Sequence, residues 1–144
     1  MTTGSSSSAA VLAATLIGLG GRASVSQAAL INGTAGHALD YDDVLRIMRG
    51  HPTAPVAPPV LAFSEREKKS GRDAVTAFVA GIETRARVGA FMGESHYMKG
   101  WHQTATVGSF GAAAASATVT TEGTELCTLE MVDRLLPACR VTPL

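Results

Sequence analysis

The sequence predicts an all-α fold. Each segment with regular apolar spacing follows the three- and four-residue interval of a helix. Two of these segments are rich in alanine, a strong helix former. A cluster of four prolines and a glycine between Gly50 and Pro59 divides the helical segments from one another. With 144 residues the chain fits one domain of ordinary size.

The elements follow in order. "MTTGSSSS", residues 1–8, is polar and of low complexity and is expected to be mobile. "AAVLAATLIGLGG" is the longest apolar run, but it is too short to span a bilayer. It lacks the basic start of a secretory signal, although "ASV" would pass as a cleavage site, so it is expected to belong to the folded protein. From Val25 to about Asp40 apolar residues fall near helical spacing, with Ser24 or Ser26 as N-cap. Gly33 and Gly36 weaken that helix but give it a small-residue face that another backbone can approach. In "YDDVLRIMRGHPTAPVAPP" the prolines argue against a long regular element and place His51 on a loop.

After Pro59, "VLAFSEREKKSG" reads as a helix stopped by Gly71, with basic residues in its last turn. "SGRDAVTAFVAGIETRARVGAFMG" is the clearest helix, with Val75, Phe78, Val79, Ile82 and Ala86 on one face and Glu83, Arg85 and Arg87 off it. "ESHYMKGWHQTATVGSFGAAAASATV" opens as a polar, aromatic loop and continues into a helix. Gly108, Gly111, Ala112 and Ala115 line one side of that helix, a surface suited to tight helix packing. From Thr118 the character changes to β-branched residues and a short amphipathic piece near "LEMVDRLL" that ends at Pro137. No internal repeat occurs at solenoid periods.

Twelve basic and twelve acidic residues cancel, and no basic block is present, which argues against a nucleic-acid partner. Cys127 and Cys139 have neither metal-type spacing nor a disulfide framework around them, as expected in a reducing, cytoplasmic compartment. No membrane association is expected.

Titratable groups concentrate in "HALDYDDVLRIMRGHP", which holds His37, Asp40, Asp42, Asp43 and His51. If the preceding helix ran on for a turn, Asp40 and Asp43 would share a face and push their pKa values apart, as an acid/base pair requires. Alternatively, Asp42 and Asp43 cap the next segment and are solvated. The spacings match neither a zinc motif nor an EF-hand loop, so no metal site is expected. His51 precedes Pro52, which restricts its backbone. His102 precedes the Gly/Ala-rich helix, where an imidazole is favoured neutral and free amides can hold an anion; Lys99 and Thr104 stand close enough in sequence to assist binding. A phosphate loop and a serine elbow are both missing.

Four blocks, "ALINGTAGHALDYDD", "GHPTAPVAPPVLAFSE", "SGRDAVTAFVAGIETRARVG" and "GWHQTATVGSFGAAAASA", resemble in that order consecutive blocks of the MmgE/PrpD family. This is a family of 2-methylcitrate dehydratases, cis-aconitate decarboxylases and iminodisuccinate epimerases. The resemblance spans residues 9–117 and implies an all-helical domain. It also implies acid/base chemistry without metal or cofactor on a small di- or tricarboxylate, most like 2-methylcitrate dehydration. It maps Asp40, His51 and His102 as catalytic residues and is compatible with Lys99 and Thr104 as substrate-binding residues. A homo-oligomer, as a dimer, is expected. Family members are several times longer and carry a smaller α+β lid domain, and residues 118–144 do not resemble them. The chain is therefore expected to be a truncated or frameshifted portion of the helical domain. The alternative is a non-catalytic helical protein that acts by oligomerising or by pairing with a full-length homologue through its Gly/Ala face.

Overall fold

The computed structural model describes residues 13–121. The polar opening, both cysteines and the tail beyond Thr121 lie outside the described residues. A short antiparallel hairpin, β1 (Ala14–Leu16) and β2 (Gly21–Ala23), is followed by helices α1 (Val25–His37), α2 (Thr53–Arg66), α3 (Gly71–Met98), α4 (Gln103–Thr106) and α5 (Gly108–Thr120). A 3-10 turn covers Arg46–Met48. The all-α expectation holds for the body of the chain. The hairpin has no counterpart among the expected elements; Gly18 and Gly20, at φ of 79° and 68°, give its turn a backbone that side chains disfavour.

The hairpin is fastened to the helices by polar side chains. Glu65 of α2 accepts from the Thr15 amide at 2.7 Å and pairs with Arg22 at 2.6 Å. These partners, the Thr15 backbone amide first, hold its carboxyl below the ordinary range. Asn32 of α1 accepts from the Ile17 amide at 2.9 Å and donates to the Thr15 carbonyl at 2.9 Å.

Ser24 is the N-cap of α1 and forms a capping box with Gln27. The helix stops at His37, short of the expected end near Asp40, because Asp40 adopts a left-handed φ of 56°. Asp40 and Asp43 therefore do not share a helical face, and the acid/base pair that a continued helix would allow does not form. Asp43 instead caps α2: its carboxylate accepts from the Thr53 amide at 3.2 Å and from the Thr53 hydroxyl at 2.8 Å.

That cap starts α2 at Thr53, ahead of the prolines expected to prevent it. Pro55 lies in the first turn, where its missing N–H has no intrahelical role. Pro58 and Pro59 each give up one bond to the turn before, yet both are buried, and their packing offsets the loss. The helix ends at Arg66, and Lys68 turns left-handed at φ 53°. Gly71 opens α3 rather than stopping α2, and Ser70 and Asp73 form the capping box.

The largest correction concerns the buried face of α3. Ala77, Gly81, Arg85 and Gly89 are buried, whereas Val75 and Val79 are 63% and 51% exposed. Phe78 and Ile82 are half-buried against the core of Val56, Val60, Ala77, Ala115 and Val119. Small residues prevail because α3 and α5 approach at backbone distance. A Cβ on Gly81 would stand 2.8 Å from the Gly111 carbonyl oxygen, closer than larger side chains allow. The expected small-residue side of α5 does pack in this way, with Gly108, Gly111 and Ala115 buried. That face is consumed inside the chain and is not free to pair with another protein. Beyond Ala117 the helix continues through Thr118 to Thr120, whose hydroxyls bond the Ala114 and Ser116 carbonyls. Among the described residues no helix is long and apolar enough to cross a membrane.

Candidate active site

The end of α1 and the loop after it gather His37, Asp40, Asp42 and His51. Asp42 lies at the centre. Its Oδ1 is 2.8 Å from Nδ1 of His37 and 3.4 Å from Nδ1 of His51, while Asp40 Oδ1 is 3.2 Å from Nε2 of His51. The two imidazole centroids are 4.6 Å apart. The side chains of Asp42 and His51 are only 13% and 14% exposed, against 77% for Asp40. Burial tends to raise the Asp42 carboxyl, but the His37 hydrogen bond, its own backbone amide and the two imidazole charges outweigh burial and hold it below the ordinary value. Asp42 Oδ2 and His51 Nδ1 are buried without a hydrogen-bond partner among the described residues.

His51 thus has a carboxylate beside each ring nitrogen, one buried and one exposed. The charge of the buried carboxylate, 3.4 Å from Nδ1, can stabilise an imidazolium; the exposed one can move aside for a ligand. Sequence reasoning selected His51 and Asp40 but passed over His37 and Asp42. The signal for them was the position of His37 at a helix end, which becomes decisive only when the left-handed Asp40 turns the chain back over it.

The backbone around His51 is held from several sides. Leu45 and Gly50 pair across the 3-10 turn, and Arg49 closes it at φ 45°. A Cβ on Gly50 would lie 2.7 Å from Thr104 Oγ1, so glycine permits the loop to touch the α4 turn. Thr104 is buried there and accepts from the His51 amide at 3.0 Å. Its hydroxyl supports the loop, a use different from the substrate contact expected of it.

His102 is placed apart from the four-residue cluster. It is the N-cap residue of α4, exposed, with no side-chain capping bond, and its carbonyl accepts from Ala105 and Thr106. Lys99, at the end of α3, is exposed and lines a cavity of about 510 Å³ with Phe91, Met92, His96 and Trp101. A separate cavity of about 380 Å³, lined mainly by apolar groups of α1 and α2, reaches Asp42.

The chain spacing of the cluster residues matches no metal motif, but the folded loop brings their donor atoms together. The donor atoms of His37, Asp40, Asp42 and His51 lie within 4.8 Å of one another, and two imidazoles with two carboxylates are donors that divalent cations accept. The same atoms already pair with each other, so a cation would have to break the His37–Asp42 hydrogen bond.

Comparison with known proteins agrees with the sequence blocks. The family model described as the MmgE/PrpD N-terminal domain matches residues 4–127. A cis-aconitate decarboxylase of Homo sapiens is 38% identical over 95 residues, 62% of this chain and 20% of that protein. The Mus musculus cis-aconitate decarboxylase is also 38% identical over 95 residues, covering 19% of its length. A cis-aconitate decarboxylase-like protein, oryM, of Aspergillus oryzae is 34% identical over 110 residues, 71% of this chain and 23% of that protein. The chain spans about a fifth of the length of these relatives.

Proposed function

Because the chain belongs to the MmgE/PrpD family, we propose that it supplies the proton-transfer wall of a lyase or isomerase acting on a small di- or tricarboxylate. The observation that carries this reading is His51, flanked by Asp42 at one ring nitrogen and Asp40 at the other. Asp42, with its lowered pKa, remains a carboxylate at neutral pH and stabilises His51 when it gains a proton. Nε2 lies on the side of the exposed Asp40 and is the nitrogen that reacts.

Two reactions use this group in opposite directions. In dehydration, His51 takes a proton from the carbon beside a carboxylate; the electron pair forms the double bond, and hydroxide leaves with a proton from a second acid. In decarboxylation the C–C bond breaks, carbon dioxide leaves, and protonated His51 delivers its proton to the carbon that keeps the electron pair. A 2-methylcitrate-like acid suits the first and a cis-aconitate-like acid the second; the names of the relatives make the second the substrate to try first. His102 is the candidate for the partner acid. Neither direction needs a metal.

A second reading, a non-catalytic protein that docks on a copy of itself or on a full-length homologue, is favoured by one observation. Leu30, Leu39, Tyr41, Val75 and Val79 are exposed on the outer sides of α1, its following loop and α3.

The test is imidazole NMR of the folded chain near pH 6, with cis-aconitate, 2-methylcitrate or citrate added. Saturable movement of the His51 and His37 signals, even at the millimolar affinity of a partial site, supports the reading. Unmoved signals in a folded chain refute it and leave the docking reading.

A further inference from the structure

We infer that Arg85 is a positioning residue, a single buried guanidinium that fixes the His51 loop against the turn beginning at His102. Arg85 is 0% exposed although its sequence pattern placed it on the outer face of α3. Its Nη1 donates to the His51 carbonyl, and its Nη2 donates to the carbonyls of Gln103 at 3.3 Å and Thr104 at 3.1 Å. One planar fork therefore bridges two segments more than fifty residues apart in the chain. The bridge is closed from the other side: the His51 amide donates to the Thr104 hydroxyl. His51 is gripped at both its N–H and its C=O, and both grips lead to the residues that follow His102.

The surroundings of Arg85 are built to admit it. Gly81 and Gly89, one turn away on either side, let α5 and Met48 approach the backbone of α3. A Cβ on Gly111 would stand 2.9 Å from the Arg85 Cβ, so the guanidinium stem fills the space left by glycine. Gln103 adds a second tie, donating to the Gly93 carbonyl at the kink of α3 at 3.2 Å. Arg85 is fully buried and its Nη1 and Nη2 face backbone carbonyls, so it does not hold a substrate carboxylate; its Nε has no hydrogen-bond partner among the described residues. Its charge faces backbone dipoles, with the Asp43 carboxylate as the acidic group that acts on it. Lysine would keep the charge but lose the fork that spans both segments.

The inference relies on the acid/base reading only for what the two histidines do; the clamp itself is read without substrate. The experiment compares imidazole ¹⁵N spectra of the full chain with those of Arg85→Lys and Arg85→Ala. In Arg85→Lys, with helical circular dichroism retained, the His51 and His102 signals should shift or split. In Arg85→Ala, guanidinium chloride at tens of millimolar, well below denaturing levels, should restore the native signals; sodium chloride at equal ionic strength should not. Native signals in a folded Arg85→Lys would overturn the inference. Loss of the whole fold in both variants would also overturn it, since Arg85 would then be a stability residue. Failure of the native chain to bind carboxylates would refute the proposed function and leave this result standing.

Discussion

Gly81→Ala should destabilise the protein, while Gly36→Ala, the same chemical change in another helix, should stabilise it. At Gly81 the new methyl would meet Val56 Cγ1 at 2.7 Å, Ala115 Cβ at 2.8 Å and the Gly111 carbonyl oxygen at 2.8 Å. Two of these atoms belong to the backbone or are fixed to it, so α5 must move away from α3. Overpacking of this kind costs about 3 kcal/mol at the upper end of its usual range. The gain from alanine in a helix returns about 1 kcal/mol, leaving a net loss of about 2 kcal/mol. At Gly36 nothing lies within 4 Å of the new methyl, so only the gain remains, roughly 0.5 kcal/mol near a helix end. Thermal melts followed by circular dichroism should place Gly81→Ala about 4–8 °C below the native chain and Gly36→Ala slightly above it. A Gly81→Ala melt at or above the native value would refute the close approach of α3 and α5 on which the burial of Arg85 depends.

Asp42→Asn should cost about 1–2 kcal/mol at pH 7 in urea unfolding, because His37 loses a charge-assisted partner. Asp42 has a depressed folded pKa, so its contribution is present above the ordinary value of 3.8 and is lost as pH falls through the folded one. The deficit of the Asn variant should therefore shrink in melts below that range. Asp43→Ala removes the cap of α2 and should cost about 1 kcal/mol, read in the same urea titration. Glu65→Gln should cost no more than about 1 kcal/mol overall, since the pair is partly exposed, but it should speed hydrogen exchange at the Thr15 amide.

Elements with a local signal were legible in the sequence. Ser24 caps α1, Gly108, Gly111 and Ala115 pack inward, and His51 lies on a loop, all as local chemistry dictates. The misreadings arose where tertiary contacts decide. The prolines of α2 read as breakers in the sequence because the cap from Asp43 exists only once the loop has folded. The buried stripe of α3 was misjudged because hydrophobicity ranks Val75 above Gly81, whereas close helix approach ranks them the other way. In the site loop, the sequence points to His51 and Asp40, whereas Asp42 reads there as a solvated cap; the folded loop brings Asp42 beside both imidazoles. Its role comes from a left-handed turn at Asp40, a conformation that a single sequence does not announce.

The central claim, that His51 between two carboxylates moves protons for a carboxylate-processing enzyme, is tested most directly in a chimera. The matching stretch of the Homo sapiens cis-aconitate decarboxylase would be replaced by this chain's residues, and kcat measured with and without His51→Gln. The expected result is an active chimera whose kcat falls by about a hundredfold or more in the variant while KM changes little. An active chimera indifferent to His51→Gln, or a folded chimera with no decarboxylation at all, would contradict the account.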